Sequence, residues 1–297
     1  MEHVHNKKNY IALFSAIFIW SSAILVTKIA LDGLGPLTLT TVRMVISFMI
    51  LLPFAWKQGF RFKLLLKKNS FIYGIFGYGG NLALLSFGML TCSANISAII
   101  HGLFPVFMIL FGYFMLNETI SRNKIIGIAF SVIGVIIASI GDLSNNSGTN
   151  LFGIFLVVLS VVTWSYFSVF SKKTSVGMNS FVLSEICFGA SLICIFPFAI
   201  AEILLQGFVI PVISMIYTLL YLGIMSGALG ILLWNYGLKK VDPGVAGIYF
   251  NLMPVIGLII ALFAGENITF LQILGCALVL AGVLFGTNTK KIINKVV

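Results

Sequence analysis

Few side chains in this sequence can do chemistry, and several of those lie inside long apolar runs. Arg43, His101 and Glu185 are each surrounded by Val, Ile, Leu and Phe. An ionisable group within a membrane costs roughly 2.5–3.5 kcal/mol on insertion scales, so each is a candidate for function. A guanidinium can grip a carboxylate through two parallel hydrogen bonds. An imidazole can bind a ligand or titrate, and a lone carboxylate can carry a proton.

Each of these groups also has a structural interpretation, which the sequence leaves open. Arg43 could bond backbone carbonyls or act in gating, and His101 could be a buried, hydrogen-bonded histidine. Glu185 could face the headgroups at the membrane surface. Lys28, a fourth ionisable residue in an apolar run, is favoured to extend its amine to the nearby interface.

A second set of candidates surrounds two prolines within apolar runs. Pro105 and Pro254 each remove a backbone donor and predict a helix kink, which frees a carbonyl one turn earlier. Trp20 and Trp164 lie in the middle of their runs, too deep for an interfacial belt, and could stack on a substrate or pack the bundle. The predicted cavity set comprises Trp20, Arg43, Tyr78, Asn81, His101, Trp164, Asn235, Tyr249 and Asn251.

No pattern for a cofactor or metal is present. The four cysteines have no metal-ligand spacing, so they are expected to pack as small apolar groups. The glycine-rich stretch from Gly74 to Gly80 lies inside an apolar run and indicates close helix packing instead of a phosphate loop. Since paired aspartates and histidine clusters are also lacking within the runs, we expect no enzyme and no cofactor.

The elements that must position these residues are membrane helices. The 297 residues are 60% hydrophobic and 9% charged, with a mean hydropathy of +1.11, which excludes a water-soluble enzyme and a disordered protein. A helix needs about 20 apolar residues to cross a bilayer. Ten such spans are predicted, at about 10–31, 37–56, 69–91, 93–116, 123–141, 149–171, 179–201, 211–234, 243–264 and 268–288.

The basic residues follow one side of this arrangement. Sixteen of the 18 Lys and Arg flank the same side, whereas the opposite connections carry Asp32, Asp142, Glu202 and Glu266 and no basic residue. Positive residues mark the cytoplasmic side, so both termini are predicted to be cytoplasmic. The charge of +10 then needs no partner beyond lipid headgroups, and nucleic acid is not expected.

The chain also repeats itself. At a shift of 144, Trp20-Ser21 aligns with Trp164-Ser165 and Lys28 with Lys172, and at 149 Pro105-Val106 aligns with Pro254-Val255. Each copy holds five spans, and an odd number forces the second copy to cross the membrane in the opposite direction. Inverted repeats are typical of secondary transporters. The predicted units are a cytoplasmic segment 1–9, repeats 10–142 and 149–288, an external linker 143–148 and a cytoplasmic tail 289–297.

With these features the sequence resembles the EamA family of the drug/metabolite transporter superfamily. The resemblance is carried by a Trp in the first span of each half, Arg43 early in span 2, the paired prolines, and Glu118 and Glu266 after them. It covers nearly the whole chain, although Cys187 occupies the place of Arg43 in the second half. It implies a carrier in the bacterial inner membrane, with a cavity lined by helices 1, 3, 4, 6, 8 and 9.

We therefore expect an all-α polytopic membrane protein that moves a small organic metabolite by alternating access. An amino acid or related compound is the expected substrate, and export the expected direction, with Glu185 as a proton-coupling candidate. The alternatives are an importer or exchanger of an anionic or nucleoside-like metabolite, a drug exporter, and, outside carriers, a channel or lipid scramblase. Gly127, Gly134, Gly275 and Gly282 make spans 5 and 10 packing helices, with a homodimer through them as a further expectation.

Overall fold

The computed structural model describes residues 2–117, 120–144, 148–207, 212–241, 246, 250, 252–263, 265 and 268–286. Tyr249, Asn251, Glu118 and Glu266 lie outside these residues. The long helices within these described residues are α1 (Glu2–Leu31), α2 (Pro36–Lys57), α3 (Lys68–Leu90), α4 (Ala94–Leu116), α5 (Arg122–Ser144), α6 (Leu151–Thr174), α7 (Ser180–Gln206), α8 (Ile213–Leu238), α9 (Leu252–Phe263) and α10 (Phe270–Gly286).

The described part of the chain is helical and has the length and polarity of a multi-pass membrane protein. Eight helices, α1 to α8, are long and apolar enough to cross a membrane, and α9 and α10 are shorter within the described residues. Large apolar side chains such as Phe114 and Leu205 are exposed on the outside, where lipid would cover them. The first helix begins well before the predicted residue 10.

Two opposite faces of the bundle differ in charge, and we name them by it. The connection between α2 and α3, the one between α6 and α7, and the end of α8 lie at the basic face, which carries Lys57, Arg61, Lys172 and Lys239 among others. The connections between α1 and α2, α3 and α4, α5 and α6, and α7 and α8 lie at the acidic face.

Helices α5 and α10 pack tightly through glycine. A Cβ placed on Gly275 would lie 2.4 Å from the carbonyl oxygen of Gly134, and one on Gly282 would lie 2.6 Å from that of Gly127. From Gly127 to Gly134 the chain advances seven residues along α5, while the contacting glycine on α10 changes from Gly282 back to Gly275. The two helices are therefore antiparallel. The glycine faces are thus in contact within the chain. A homodimer through these helices would have to use their other faces, and it stays a prediction.

Helices α2 and α7 form a second antiparallel pair. Phe54 stacks on Phe181 near the basic face, with ring centroids 5.8 Å apart. At the acidic face the Glu202 carboxylate accepts hydrogen bonds from the Leu37 and Thr38 backbone N–H groups, at 3.1 and 2.7 Å. These donors are free at a helix start, and the helix dipole favours an anion there. A side chain from the second half therefore caps a helix of the first half.

Three helices are irregular near the middle of the bundle. Helix α3 is interrupted between Ile75 and Tyr78, and α8 takes the wider π form from Tyr221 to Leu229. Helix α4 passes through a 3₁₀ turn at His101–Leu103 just before Pro105, so a distortion at the predicted kink is present. Pro254 instead lies in the first turn of α9, next to residues outside the described part. Irregular backbone inside a bundle is tolerated where it lines a cavity.

Candidate substrate site

A central cavity lies where these irregular helices meet, in the half of the bundle nearer the acidic face. It encloses about 460 Å³ of empty space, of which about 50 Å³ is open to the centre of a water molecule. Since one water needs roughly 10–15 Å³ by that measure, the cavity holds a few waters as it stands. Every described lining residue is at most 8% exposed, so the wall of the cavity is buried within the bundle.

Six of the nine predicted cavity residues line this space. They come from five different helices of both halves: Trp20, Arg43, Tyr78, Asn81, His101 and Trp164. The lining also includes Thr27, Ser226, Phe250 and Met253, which sequence reasoning missed. The wall therefore combines one cation, several amide, hydroxyl and imidazole groups, and indole rings.

Arg43 is the charged residue of the described lining, and it is 2% exposed. One guanidinium nitrogen donates to the Ser226 hydroxyl at 2.9 Å and the other lies 3.5 Å from the Thr27 hydroxyl. Its Nε has no hydrogen-bond partner. Both partners are neutral, so the guanidinium is positioned by the fold without being neutralised. Bonding of its head group to backbone carbonyls, one of the interpretations left open by the sequence, is not seen.

Ser226 connects the polar part of the wall. Besides its hydroxyl, its backbone carbonyl accepts hydrogen bonds from the Trp20 indole at 2.9 Å and the Tyr78 hydroxyl at 3.1 Å. A π segment widens the helix and commonly occurs at functional sites. Ser226 lies in that segment of α8. A local irregularity thus holds three lining side chains of the first half against the second.

Two further polar side chains are held in place by hydrogen bonds to backbone carbonyls. The amide nitrogen of Asn81 donates to the Ser160 carbonyl at 2.8 Å, which fixes the orientation of the amide. His101 Nδ1 lies 2.7 Å from the Ser97 carbonyl. Because a carbonyl accepts only, Nδ1 carries the proton, and Nε2 of the neutral ring is an acceptor.

An aromatic plug separates the cavity from the basic face. We define it as Trp20, Phe104, Trp164, Trp234 and Phe250. Trp20 meets Trp164 edge-on with centroids 5.4 Å apart, and Phe104 stacks on Phe250 at 3.8 Å. Aromatic pairs in such arrangements add about 0.5–1.5 kcal/mol each beyond burial. The two predicted Trp residues therefore pack the bundle and line the cavity at once.

Two lysines tie helix ends together, one at each face. Lys28 on α1 donates to the carbonyls of Met89 and Cys92 where α3 meets α4 at the acidic face, the latter at 3.1 Å. Lys172 on α6 donates to the Val241 carbonyl just after α8, at 2.9 Å. We call these contacts the Lys28 latch and the Lys172 latch. The Lys28 amine thus lies where α3 ends at the acidic face, and its extension to the interface stays a prediction.

Two predicted residues lie elsewhere. Asn235 lines a separate pocket at the basic face with Lys239 and Lys240, and its amide donates to the Ser184 hydroxyl at 2.9 Å. Glu185 is fully buried in α7, and neither carboxylate oxygen has a hydrogen-bond partner. It does not face the headgroups, and it is not among the described residues that line the central cavity.

A sequence signal for the missed residues did exist. The glycine-rich stretch Gly74 to Gly80 has a counterpart in the second half, at Gly223, Gly227 and Gly230. Corresponding glycine-rich interruptions in two halves indicate discontinuous helices around a central site. Reading the first stretch as helix packing was correct for Gly74, which approaches the Ala190 backbone, but it missed the helix break and Ser226.

The described residues contain no group of three or more His, Cys, Asp or Glu that could hold a metal ion. Within this described part of the chain, eight long apolar helices packed around a buried central cavity are typical of multi-pass membrane proteins of the transporter type.

Comparison with known proteins gives the family. The model of the EamA-like transporter family matches residues 7–140 and again 151–287, and the chain belongs to this family. An uncharacterized transporter of Archaeoglobus fulgidus is 26% identical over 93% of this chain and 97% of its own. A probable amino-acid metabolite efflux pump of Escherichia coli is 24% identical over 97% and 99%. A solved structure, described only as the crystal structure of a protein, has the same fold, with a TM-score of 0.72 at 21% identity over 97% of this chain and 99% of that one.

Proposed function

We propose that the protein is a secondary carrier that moves a small organic metabolite across a bacterial-type plasma membrane by alternating access. The observation that carries the proposal is the buried central cavity, built by both halves where α3, α4 and α8 depart from regular helix. An amino acid or related compound, moved outwards, is the substrate class we propose. The name of the E. coli relative supports it, and the basic face is then cytoplasmic.

The two latches give alternating access a physical basis. Both latches are formed in the present structure, and in the proposed cycle this arrangement is the occluded state. Release of the Lys28 latch would free the ends of α3 and α4 and open the acidic face, and release of the Lys172 latch would free α8 at the basic face. A substrate carried through the cavity requires that the two latches open in turn.

Counterflow tests the carrier. A thermal-shift screen of amino acids, nucleosides and cationic drugs on the purified protein identifies ligands, and proteoliposomes loaded with an unlabelled hit then receive the labelled one. A carrier accumulates label transiently, because internal unlabelled substrate occupies the inward-facing site and is carried out in exchange for label. Uptake that ignores the internal substrate would instead indicate a channel or a scramblase.

Import or exchange of an anionic metabolite is the second candidate, and the unneutralised guanidinium of Arg43 favours it. Reversing the substrate gradient across oriented proteoliposomes separates export from import. Export of cationic drugs is disfavoured, because the described lining contains a cation and no acidic side chain.

Glu185 is proposed as the proton-coupling group. Burying a carboxylate without a partner is costly, so binding and loss of a proton there would bias the conformation. By the register that stacks Phe54 on Phe181, residues 50–53 of α2 lie at its level and are apolar. Cys187 follows two residues later on α7, and Tyr73 of α3, whose hydroxyl is paired with Thr174, lies near Cys187.

The Glu185→Gln variant tests this coupling. Its transport rate is expected to lose the pH dependence of the wild type while substrate binding persists, because the amide keeps the size of the side chain. Matching pH profiles in the two proteins would remove Glu185 from the mechanism.

A further inference from the structure

We propose that the central cavity selects its substrate by a carboxylate group and does not recognise an amino group. The proposal rests on the cavity being the substrate site of the carrier proposed above. It narrows the substrate class to small organic acids with an apolar body. Amino acids belong to this class, but an amino group is not required for binding.

The described lining of the cavity carries a positive charge and no negative charge. The sequence contains eight acidic residues, and none of them is among the described residues that line the cavity. Asp32 and Glu202 line a different pocket at the acidic face. Asp142 accepts hydrogen bonds from Ser93 and Gln272, away from the cavity. Arg43 therefore gives the described wall a net positive charge.

Arg43 also has donors to spare. A guanidinium carries five N–H groups in a planar fork. Two of its nitrogens have hydroxyl partners, one of them at 3.5 Å, and Nε has none. A buried cation without a counter-ion is costly. A ligand carboxylate supplies both the charge and the geometry for two parallel hydrogen bonds, at the expense of contacts to neutral hydroxyls.

An ammonium group gains little in the same place. In an α-amino acid the nitrogen lies next to the carboxylate, and hence within a few ångströms of the guanidinium that binds it, where like charges repel. The acceptors that the wall offers, the Asn81 amide oxygen and His101 Nε2, are neutral. Glu185, which the sequence suggested for an amine, is absent from the described lining.

The remaining wall fits an apolar body. Trp20 and Trp164 of the aromatic plug close one end, and Ile24, Leu85 and Met253 line the sides. Ring stacking and burial would stabilise a flat or branched hydrocarbon there. The cavity must widen by movement of these side chains, because it holds only a few waters in the closed state.

Four related probes test the proposal through the indole fluorescence of the purified protein. They share a phenyl ring and differ in their polar ends: 3-phenylpropanoate, 3-phenylpropanamide, phenylalanine and 2-phenylethylamine. We expect 3-phenylpropanoate to bind at least as tightly as phenylalanine, and the amide to bind about tenfold more weakly, since a hydrogen bond to a charged group is lost. The amine is expected to bind most weakly.

Two variants test whether Arg43 causes the difference in binding between the acid and the amide. Arg43→Gln should bind acid and amide equally. Lys173→Gln removes a cation whose amine bonds the Met115 carbonyl near the basic face, and it should keep the wild-type difference. Thermal melting of both variants shows whether each is folded.

Three results would overturn the proposal: phenylalanine binding about tenfold tighter than 3-phenylpropanoate, equal binding of acid and amide by the wild type, or no binding of any probe. Counterflow separates this outcome from that of the carrier. Acid binding without counterflow contradicts the carrier alone, whereas counterflow of phenylalanine with exclusion of 3-phenylpropanoate contradicts acid selection alone.

Discussion

The two halves of the molecule share their scaffold contacts and differ in their polar chemistry. Lys28 and Lys172 are equivalent at a shift of 144, and their acceptors Cys92 and Val241 are equivalent at 149. The same shifts relate the pair Thr40 and Ser86 to the pair Ser184 and Asn235, which are also in contact. Contacts that hold the helices are thus present twice, once at each face.

The ionisable side chains Arg43 and Glu185 inside the bundle, in contrast, are not duplicated between the halves. Arg43 of the first half reaches the cavity, whereas its equivalent Cys187 is a fully buried, uncharged side chain. Thr41 corresponds to Glu185, the unpartnered carboxylate of the second half. A carrier needs two related arrangements of its gates but only one binding site. In the proposed carrier, duplication would supply the movement and divergence would supply the recognition.

The largest expected effect concerns the shared scaffold. Gly134→Val and Gly275→Val each place a side chain against the backbone of the other helix, within 2.6 and 2.4 Å. Each should destabilise the protein by about 3 kcal/mol, the upper part of the usual range for overpacking. Thermal melting of the two variants checks the symmetry, with the lipid-facing Ile273→Val as a control that should melt like the wild type. Strongly unequal losses would contradict an equivalent contribution of the two halves.

The next effect concerns the difference between the halves. Arg43→Gln is expected to lower transport of a carboxylate substrate by about tenfold or more, from loss of a charged hydrogen bond. Cys187→Ala at the equivalent position is expected to leave transport near the wild-type rate, because Cys187 is outside the described cavity lining. Initial rates in proteoliposomes measure both. Equal losses would show that recognition is shared between the halves.

The sequence predicted the fold well because its signals are long and repeated. Apolar runs of about 20 residues, a one-sided basic pattern and paired Trp and Pro residues indicate the class of protein without any contact being known. Of the site, Arg43 and His101 were identified because an ionisable residue in an apolar run is conspicuous. Ser226 was not, since a serine in a membrane helix is common and its role depends on the π segment around it.

The contacts of individual side chains were not predicted from the sequence. Lys28 and Asn235 lie on helices that line the cavity, but helix position alone does not tell which neighbour a side chain reaches. Lys28 binds carbonyls where α3 ends, and Asn235 binds Ser184. Both partners are more than 50 residues away in sequence, so the contacts depend on tertiary packing. The contacts of these residues and the burial of the cavity depend on tertiary structure, which the sequence pattern does not contain.

The smallest expected effect again compares equivalent residues. Ser47 on α2 bonds the Gly223 carbonyl of α8 at 2.7 Å, and Ser191 on α7 accepts from the Gly79 N–H of α3 at 2.9 Å. Ser47→Ala and Ser191→Ala should each cost about 1 kcal/mol, the usual net value of one hydrogen bond. Denaturation midpoints should therefore fall by similar amounts, and an effect confined to one variant would limit the equivalence to the other contacts.

The most direct test of the account is access to the cavity from each face. A reporter cysteine at Ala23, which lines the cavity, is placed in a protein whose four native cysteines are replaced by alanine, and is labelled with a membrane-impermeant maleimide from either side. Lys28→Met should raise labelling from the acidic face, and Lys172→Met from the basic face, each by about tenfold or more, because charged hydrogen bonds are lost. Lys173→Met should change neither. Labelling that rises from the same face in both latch variants, or in neither, would contradict alternating access through paired lysine latches.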